Sequence, residues 1–116
     1  SDLLTPWDLI EKRIHAVAAA DFVIVIYNPK SKKRNWQIEK ACEIISKYRD
    51  IKDTPVGVVT GSDRENESIT VSTLEKIDYT IIDMQSTVII GNTSSYIWND
   101  FIITPRGYKN KYELDG

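Results

Sequence analysis

The sequence predicts a single α/β domain over residues 1–116, with helices flanking a sheet. Apolar residues occur first at helical spacing and then in short β-branched runs, in the order helix, strand, helix, strand. The hydrophobic share of 41% and the charged share of 28% are ordinary for a globular protein. A length of 116 residues suits one compact domain.

The first predicted element is a helix with a marked start. Thr5 can cap its N-terminus, Pro6 suits the first helical position, and Asp8 lies near the positive end of the helix dipole. One apolar face follows at three- and four-residue spacing: Leu9, Ile10, Ile14, Val17 and Ala18. His15 falls among these residues and is the only histidine, so we interpret it as a packed or surface residue rather than a metal ligand.

A continuous apolar run, Phe22–Tyr27, comes next. Because it lacks polar alternation, it favours a strand buried on both faces, as in a parallel sheet covered by helices. A second amphipathic helix is predicted from about Asn35 to Tyr48, with this inner face: Ile38, Ala41, Cys42, Ile45 and Tyr48. Cys42 is the only cysteine, so it cannot form an intrachain disulfide, and we interpret it as a core residue of a cytoplasmic protein.

The second half of the chain alternates short strands with turns. The predicted elements are a buried strand Pro55–Thr60, a half-exposed strand Ser68–Thr73, a brief helical turn within Thr73–Ile77, a buried strand Thr87–Ile90, and a hairpin within Ser95–Thr104 around Asn99 and Asp100. No apolar run approaches the roughly 20 residues of a membrane-spanning helix. We therefore expect no membrane association.

Three predicted strands end in polar or glycine-containing sequence, at Tyr27-Asn28, Thr60-Gly61 and Gly91-Asn92. In open α/β sheets, ligands bind beyond the carboxyl ends of strands, and glycine lets a ligand approach the backbone. These ends are therefore a candidate ligand site. The alternative is that they are ordinary exits from strands into loops.

The loop from Lys30 to Arg34 carries four cations and no acid, although the chain as a whole has a net charge of −2. Such a loop before a helix suits a polycarboxylate, a phosphate or a nucleic acid. A solvated turn is the alternative. The overall negative charge argues against a dedicated nucleic-acid binder.

The sequence shows no complete catalytic constellation. It has no phosphate-binding P-loop, dinucleotide fingerprint, nucleophile elbow or metal-ligand cluster, so the catalytic residues stay unknown and no metal is expected. Arg106, in the tail motif Thr104–Tyr108, could bind a carboxylate or simply end a hairpin. The sequence opens on Ser1-Asp2 without a methionine, which we interpret as a segment of a longer protein.

Four blocks of sequence resemble the C-terminal half of the tetrapyrrole methylase family: Ser1–Trp7, Tyr27–Arg34, Val88–Asn92 and Ile103–Tyr108. The resemblance is to its cobalamin-pathway members, which methylate C-17 of precorrin-3B or cobalt-precorrin-3 with ring contraction. It implies a C-terminal lobe with a mixed sheet flanked by helices, S-adenosyl-L-methionine bound in a cleft between two lobes, and an N-terminal lobe outside this chain. The isolated chain would then be inactive.

The resemblance also implies roles for individual residues. It assigns cofactor contacts to Ile26, Tyr27, Asn28, Val59, Thr60, Ile90 and Gly91. It makes the basic residues candidates for a polycarboxylate tetrapyrrole: Lys30, Lys32, Lys33, Arg34 and Arg64. It further implies a homodimer, in which Trp98 or Phe101 could lie at the contact, whereas simple core packing is the other interpretation of these aromatics.

Two other functions stay open from the sequence. One is a tetrapyrrole methylase that acts at a different ring carbon. The other is a non-catalytic module that binds anions or RNA through the basic loop. Binding measured at increasing salt would separate the RNA-binding module from a methylase. Nucleic-acid binding through four cations weakens steeply with ionic strength, whereas binding of adenosine does not.

Overall fold

The structure, a computed structural model, describes residues 5–27, 29, 36–61 and 66–106. The elements in this part are helices α1 (Trp7–Ala19) and α2 (Gln37–Ser46), and strands β1 (Ile24–Tyr27), β2 (Pro55–Thr60), β3 (Ser68–Thr73), β4 (Thr87–Ile90), β5 (Tyr96–Trp98) and β6 (Phe101–Ile103). The predicted order of elements is confirmed, as is the brief helical turn, a 3₁₀ turn at Leu74–Lys76. A second 3₁₀ turn, Tyr79–Ile81, was not foreseen.

The main sheet has the strand order β1-β4-β2-β3, and each of its described pairings is antiparallel. The α/β class is confirmed, but the parallel arrangement inferred from Phe22–Tyr27 is wrong, and the described pairings are antiparallel where the resemblance implied a mixed sheet. Strands β1 and β2 do run in the same direction. Strand β4, however, lies between them in the opposite direction, and an apolar run carries no information about the direction of its neighbour.

One face of the sheet carries the core. Both helices pack on this face, and the buried cluster comprises Ala18, Ile24, Ile38, Cys42, Ile45, Val56, Val58, Leu74, Ile82, Val88 and Ile90. Burial of the Cys42 side chain in this cluster confirms its interpretation as a core residue. Successive side chains along a strand point to opposite faces of the sheet. The helices therefore cover only every second side chain of each strand.

The second face of the sheet is covered only in part. The hairpin β5–β6 lies against it at Gly57, where a Cβ atom would come within 3.1 Å of Ile102 Cδ1. Val25 and Tyr27 stay 43% and 71% exposed, because β1 is an edge strand that the hairpin does not reach. The prediction that the first strand is buried on both faces is therefore wrong.

Both helices differ from their predicted ends. Pro6, not Thr5, is the N-cap residue of α1, and its carbonyl accepts hydrogen bonds from the amides of Leu9 and Ile10. Helix α2 ends at Ser46, which leaves Tyr48 outside the inner face and 41% exposed. The Tyr48 hydroxyl lies 2.5 Å from Nδ1 of His15, so these two side chains join the helices at the surface.

A buried guanidinium ties the first loop to the end of β4. The side chain of Arg49 is fully buried, and it donates from Nη1 to the carbonyl of Gly91 at 2.7 Å and from Nη2 to that of Phe22 at 2.5 Å. Burial lowers the pKa of Arg49, and the charge of Asp21 opposes this effect. The charged group thus fixes the position of β4 relative to the segment that leads into β1.

Replacing Arg49 should destabilise the fold. We expect Arg49→Met to lower the free energy of unfolding by about 3 kcal/mol, because two carbonyls lose a charged donor in a buried setting. Urea denaturation followed by circular dichroism measures this effect. The exposed Lys52→Met is the matched control. Equal transition midpoints for the two variants would contradict the role given to Arg49.

Candidate functional site

A cleft of about 420 Å³ lies along the free edge of β1, between the first turns of α1 and α2. Its lining comprises Thr5, Trp7, Ile10, Arg13, Ile14, Ile24, Val25, Ile26, Tyr27, Pro29, Gln37, Ile38 and Ala41. Two of the residues assigned to the cofactor, Ile26 and Tyr27, are among them. Because β1 is an edge strand of the sheet, no further strand in the described part of the chain lies on that side of it.

Two tryptophans lie at the starts of the two helices, and one of them lines the cleft. Trp7 opens α1 and lines the cleft, and Trp36 is the N-cap residue of α2. Their rings meet edge to face, with centroids 5.0 Å apart and planes at 72°. The pair holds the starts of the two helices together. Sequence reasoning did not assign either ring to a site, although Trp36-Gln37 directly follows the basic loop.

The cleft wall is mainly apolar with one buried amide. Oε1 of Gln37 is inaccessible to solvent and has no hydrogen-bond partner among the described residues. Among the described residues that line the cleft, Arg13 carries the one charge, and it is exposed. Such a site suits a flat apolar ring with a polar edge better than a cluster of carboxylates. The adenosine part of S-adenosyl-L-methionine has this character, so the residues present fit that group.

The three predicted strand ends do not meet at one site. Tyr27 and Val59 both pair with Thr87, so the ends of β1 and β2 lie at the same edge of the sheet. Ile90 pairs instead with Ile24, at the start of β1. The end of β4 is therefore roughly 10 Å away, three residues along the strand, at the opposite edge. The described strands do not bring all three ends together, because β4 runs antiparallel to β1 and β2.

Val59 and Thr60 do not line the cleft either. Strand β4 lies between β1 and β2, so the end of β2 is separated from Tyr27 by the width of one strand. The Oγ1 atom of Thr60 is 2.7 Å from Oγ of Ser68 on the adjoining strand. The end of β2 thus lies at the same end of the sheet as Tyr27, but its residues do not line the cleft.

Gly91 lies in a structural junction at the other edge. Its amide donates to the carbonyl of Pro55 at 2.9 Å, and its own carbonyl accepts from Arg49. A Cβ at this position would come within 2.5 Å of Cβ of Ser95, so the close approach of two chain segments requires glycine here. Both backbone groups of Gly91 are used inside the domain.

The predicted basic site could be located only through its neighbours. Asn28, Lys30, Lys32, Lys33, Arg34 and Arg64 lie outside the described residues, and so does Tyr108 of the tail motif. Pro29 before the basic loop and Gln37 after it both line the cleft. The chain therefore enters and leaves the basic loop beside the cleft. Arg106 is described and exposed.

The described residues offer little other reactive chemistry. They contain no group of three or more His, Cys, Asp or Glu side chains that could hold a metal ion. Burial raises the pKa of the Cys42 thiol to about 11, so the thiol stays protonated at neutral pH and is a poor nucleophile. None of the described helices has the length and apolar character needed to span a bilayer.

Comparison with curated proteins identifies relatives over almost the whole chain. The chain is 50% identical over 115 residues to the cobalt-factor III methyltransferase of Priestia megaterium, covering 99% of this chain and 21% of that protein. It is 45% identical over 108 residues to the probable cobalt-factor III C(17)-methyltransferase of Salmonella typhimurium, and 38% identical over 115 residues to the precorrin-3B C(17)-methyltransferase of a Sinorhizobium species. These matches cover 93% of this chain and 44% of each relative.

Among solved structures, the methyltransferase CobJ superposes with a TM-score of 0.80 at 28% identity, over 90% of this chain and 44% of CobJ. The fold is therefore that of one part of such a methyltransferase. The chain spans less than half the length of these relatives. No family model matches the sequence.

The contacts of Asp21 near Gly91 should make the stability of the fold depend on pH. Burial acts to raise the pKa of Asp21, but hydrogen bonds from Thr93 and the charge of Arg49 outweigh it and the pKa lies below its ordinary value. A lowered pKa stabilises the fold above the unfolded-state value of about 3.9, and this stabilisation disappears as pH falls through the folded-state value.

Asp21→Asn should therefore reduce stability at pH 7 and make it less dependent on pH below about 4. Urea midpoints measured between pH 2 and pH 7 test this expectation. Asp53→Asn, at an exposed carboxylate, is the control. If the difference in midpoint between the wild type and Asp21→Asn stayed constant down to pH 2, the contacts of Asp21 would not be the cause.

Proposed function

We propose that this chain, homologous to part of the cobalt-factor III and precorrin-3B C(17)-methyltransferases, is the C-terminal lobe of such an enzyme. The enzyme would methylate C-17 of precorrin-3B or its cobalt-containing counterpart, with ring contraction, in cobalamin biosynthesis. The observation that carries the proposal is the 50% identity to the Priestia megaterium enzyme over 99% of the chain. The superposition on CobJ supports it independently.

The cofactor of this reaction is S-adenosyl-L-methionine, and we assign its adenosine to the cleft beside β1. When bound, the cofactor supplies an electrophilic sulfonium methyl group. The chain's own residues exclude water and hold the base: Ile26 and Tyr27 from the strand, Trp7 from α1, and Ile38 from α2. Catalysis of this kind depends on alignment of two reactants, so it needs no nucleophile-base pair in this lobe.

The substrate is a tetrapyrrole that carries many carboxylates, and we assign its acidic rim to Lys30, Lys32, Lys33 and Arg34. The basic loop begins after Pro29 and ends before Gln37, both of which line the cleft. Positive side chains beside an apolar cofactor site would orient the carboxylates while the ring approaches the methyl group. Arg64 is a further candidate for the same rim.

An N-terminal lobe would complete the site. The cleft is open along the edge of β1, and two domains that close on a ligand exclude water from the reaction. We therefore expect this chain alone to be inactive. We propose a cytoplasmic location, because the only cysteine is a buried free thiol, which suits a reducing compartment.

We also propose that the enzyme is a homodimer with the β5–β6 hairpin at its contact. Trp98 and Phe101 are 58% and 64% exposed, so the alternative that they pack in the core of this lobe is wrong. Asn99 and Asp100 between them both have positive φ values, as a tight two-residue turn requires. Both aromatic rings are therefore available for contact with a second copy of the chain.

Methyl transfer by the full enzyme tests the function. The protein that contains this chain should transfer labelled methyl from S-adenosyl-L-methionine to cobalt-factor III or precorrin-3B. Changing Lys30, Lys32 and Lys33 together to alanine should raise KM for the tetrapyrrole about tenfold or more, because charge-assisted contacts to carboxylates are lost.

The matched control changes the exposed Lys47 and Lys52 to alanine and should leave KM unchanged. Methylation of a different ring carbon would favour the methylase of other regiochemistry. Absence of transfer, together with salt-sensitive RNA binding that the triple substitution abolishes, would favour the anion- or RNA-binding module.

The dimer has its own test. Light scattering coupled to size-exclusion chromatography should give twice the protomer mass for the full enzyme. Phe101→Ser with Trp98→Ser should shift it towards the monomer, because the contact loses its apolar area. Met84→Ser, at another exposed apolar residue, should stay dimeric. A dimer unaffected by the hairpin substitutions would place the contact elsewhere.

A further inference from the structure

Trp36 combines a fixed position with an open aromatic surface. It is the N-cap residue of α2, and its carbonyl accepts a hydrogen bond from the amide of Lys40 at 3.1 Å. Among the described residues, Trp7 carries the one aromatic ring in contact with it. Trp36 nevertheless stays 48% exposed. A large aromatic side chain that is held in place and half open to solvent is typical of a binding surface rather than of a core.

The geometry of the tryptophan pair leaves room for a flat ligand on Trp36. The planes of the two rings lie at 72°, so one ring presents its edge and the other presents one of its faces. Whichever ring presents the edge, Trp7 leaves at least one face of the Trp36 indole uncovered. An open face of this kind can stack on a flat conjugated ring.

The position of Trp36 beside the cleft decides which ring this is. Trp7 lines the cleft, whereas Trp36 contacts Trp7 but is not among the lining residues. A ring stacked on Trp36 therefore lies next to the cleft, and it is not an adenine bound against Ile26 and Tyr27. In sequence, Trp36 follows the last cation of the basic loop, Arg34, by two residues. A conjugated ring with acidic substituents matches an aromatic face that follows a run of positive charge.

We propose that Trp36 stacks on one pyrrole-derived ring of the tetrapyrrole substrate and that Trp7 positions the indole for this contact. This inference rests on the proposed function and adds a ring contact to the carboxylate contacts assigned to the basic loop. Trp7 then links the two ligands, because it lines the cofactor cleft and also holds the ring that binds substrate. Stacking on Trp36 sets the plane of the macrocycle beside the cleft, and methyl transfer depends on alignment of the two reactants.

The experiment measures equilibrium binding of cobalt-factor III to the full enzyme through the absorption of the tetrapyrrole. S-adenosylhomocysteine is present throughout, so that no methyl group is transferred. Trp36→Leu should weaken binding about tenfold, the loss typical of one stacked ring. Trp36→Phe keeps an aromatic face and should weaken binding about threefold or less. Phe22→Leu, at another exposed aromatic residue, is the matched control and should bind like the wild type.

A structural role for Trp36 would give a different pattern. Stacking on substrate predicts that Trp36→Leu keeps the wild-type affinity for S-adenosylhomocysteine and the wild-type urea midpoint. If Trp36→Leu lowers the urea midpoint and weakens S-adenosylhomocysteine as much as the tetrapyrrole, the indole only holds the two helices together, and the proposal is overturned. An equal loss in Trp36→Phe and Trp36→Leu would overturn it as well, because an aromatic face then makes no difference.

The binding results also separate this proposal from the function on which it rests. If the wild type and Trp36→Leu bind cobalt-factor III equally well, the role of Trp36 is wrong and the methyltransferase function stands. If the wild type binds neither cobalt-factor III nor precorrin-3B, the substrate assignment and the role of Trp36 both fail. Binding of single-stranded RNA that Trp36→Leu weakens, without binding of either tetrapyrrole, would assign the ring to a nucleic-acid site instead.

Discussion

The direction of β4 is the constraint on which the rest of the molecule depends. It lies between β1 and β2 and runs antiparallel to both, so it determines which strand ends lie at the same end of the sheet. The exits of β1 and β2 lie at one edge of the sheet, and Gly91 lies at the other. Arg49 holds this arrangement, because its buried guanidinium bonds the end of β4 and the segment before β1 at once. A candidate site at β1 and a structural junction at Gly91 follow from that single placement.

Local features of the fold could be predicted from the sequence. The bounds of β2, β3 and β4 follow from β-branched runs between polar segments, and Asn99-Asp100 marks the turn of the hairpin. The direction of β4 could not be predicted, because alternation and hydrophobicity describe the faces of a strand and not its partner. The same limit explains the error over β1. A run of apolar residues predicts a strand that is buried on both faces. The run looks the same in the sequence when the strand lies at the edge of the sheet and one of its faces is exposed.

Residues of the candidate site could be predicted from the sequence only where they lie on a single strand or helix. Ile26 and Tyr27 are consecutive on β1, so a strand end alone identifies them. Trp7 and Gln37 contribute from two helices 30 residues apart in sequence, and only the packing of α1 beside α2 brings them together.

The central claim is that the cleft beside β1 holds the adenosine of the cofactor, and a crystal structure of the full enzyme with S-adenosylhomocysteine tests it most directly. We expect the adenine ring against Ile26 and Tyr27. Adenosine bound at the Gly91 edge of the sheet, or away from this lobe, would contradict the account.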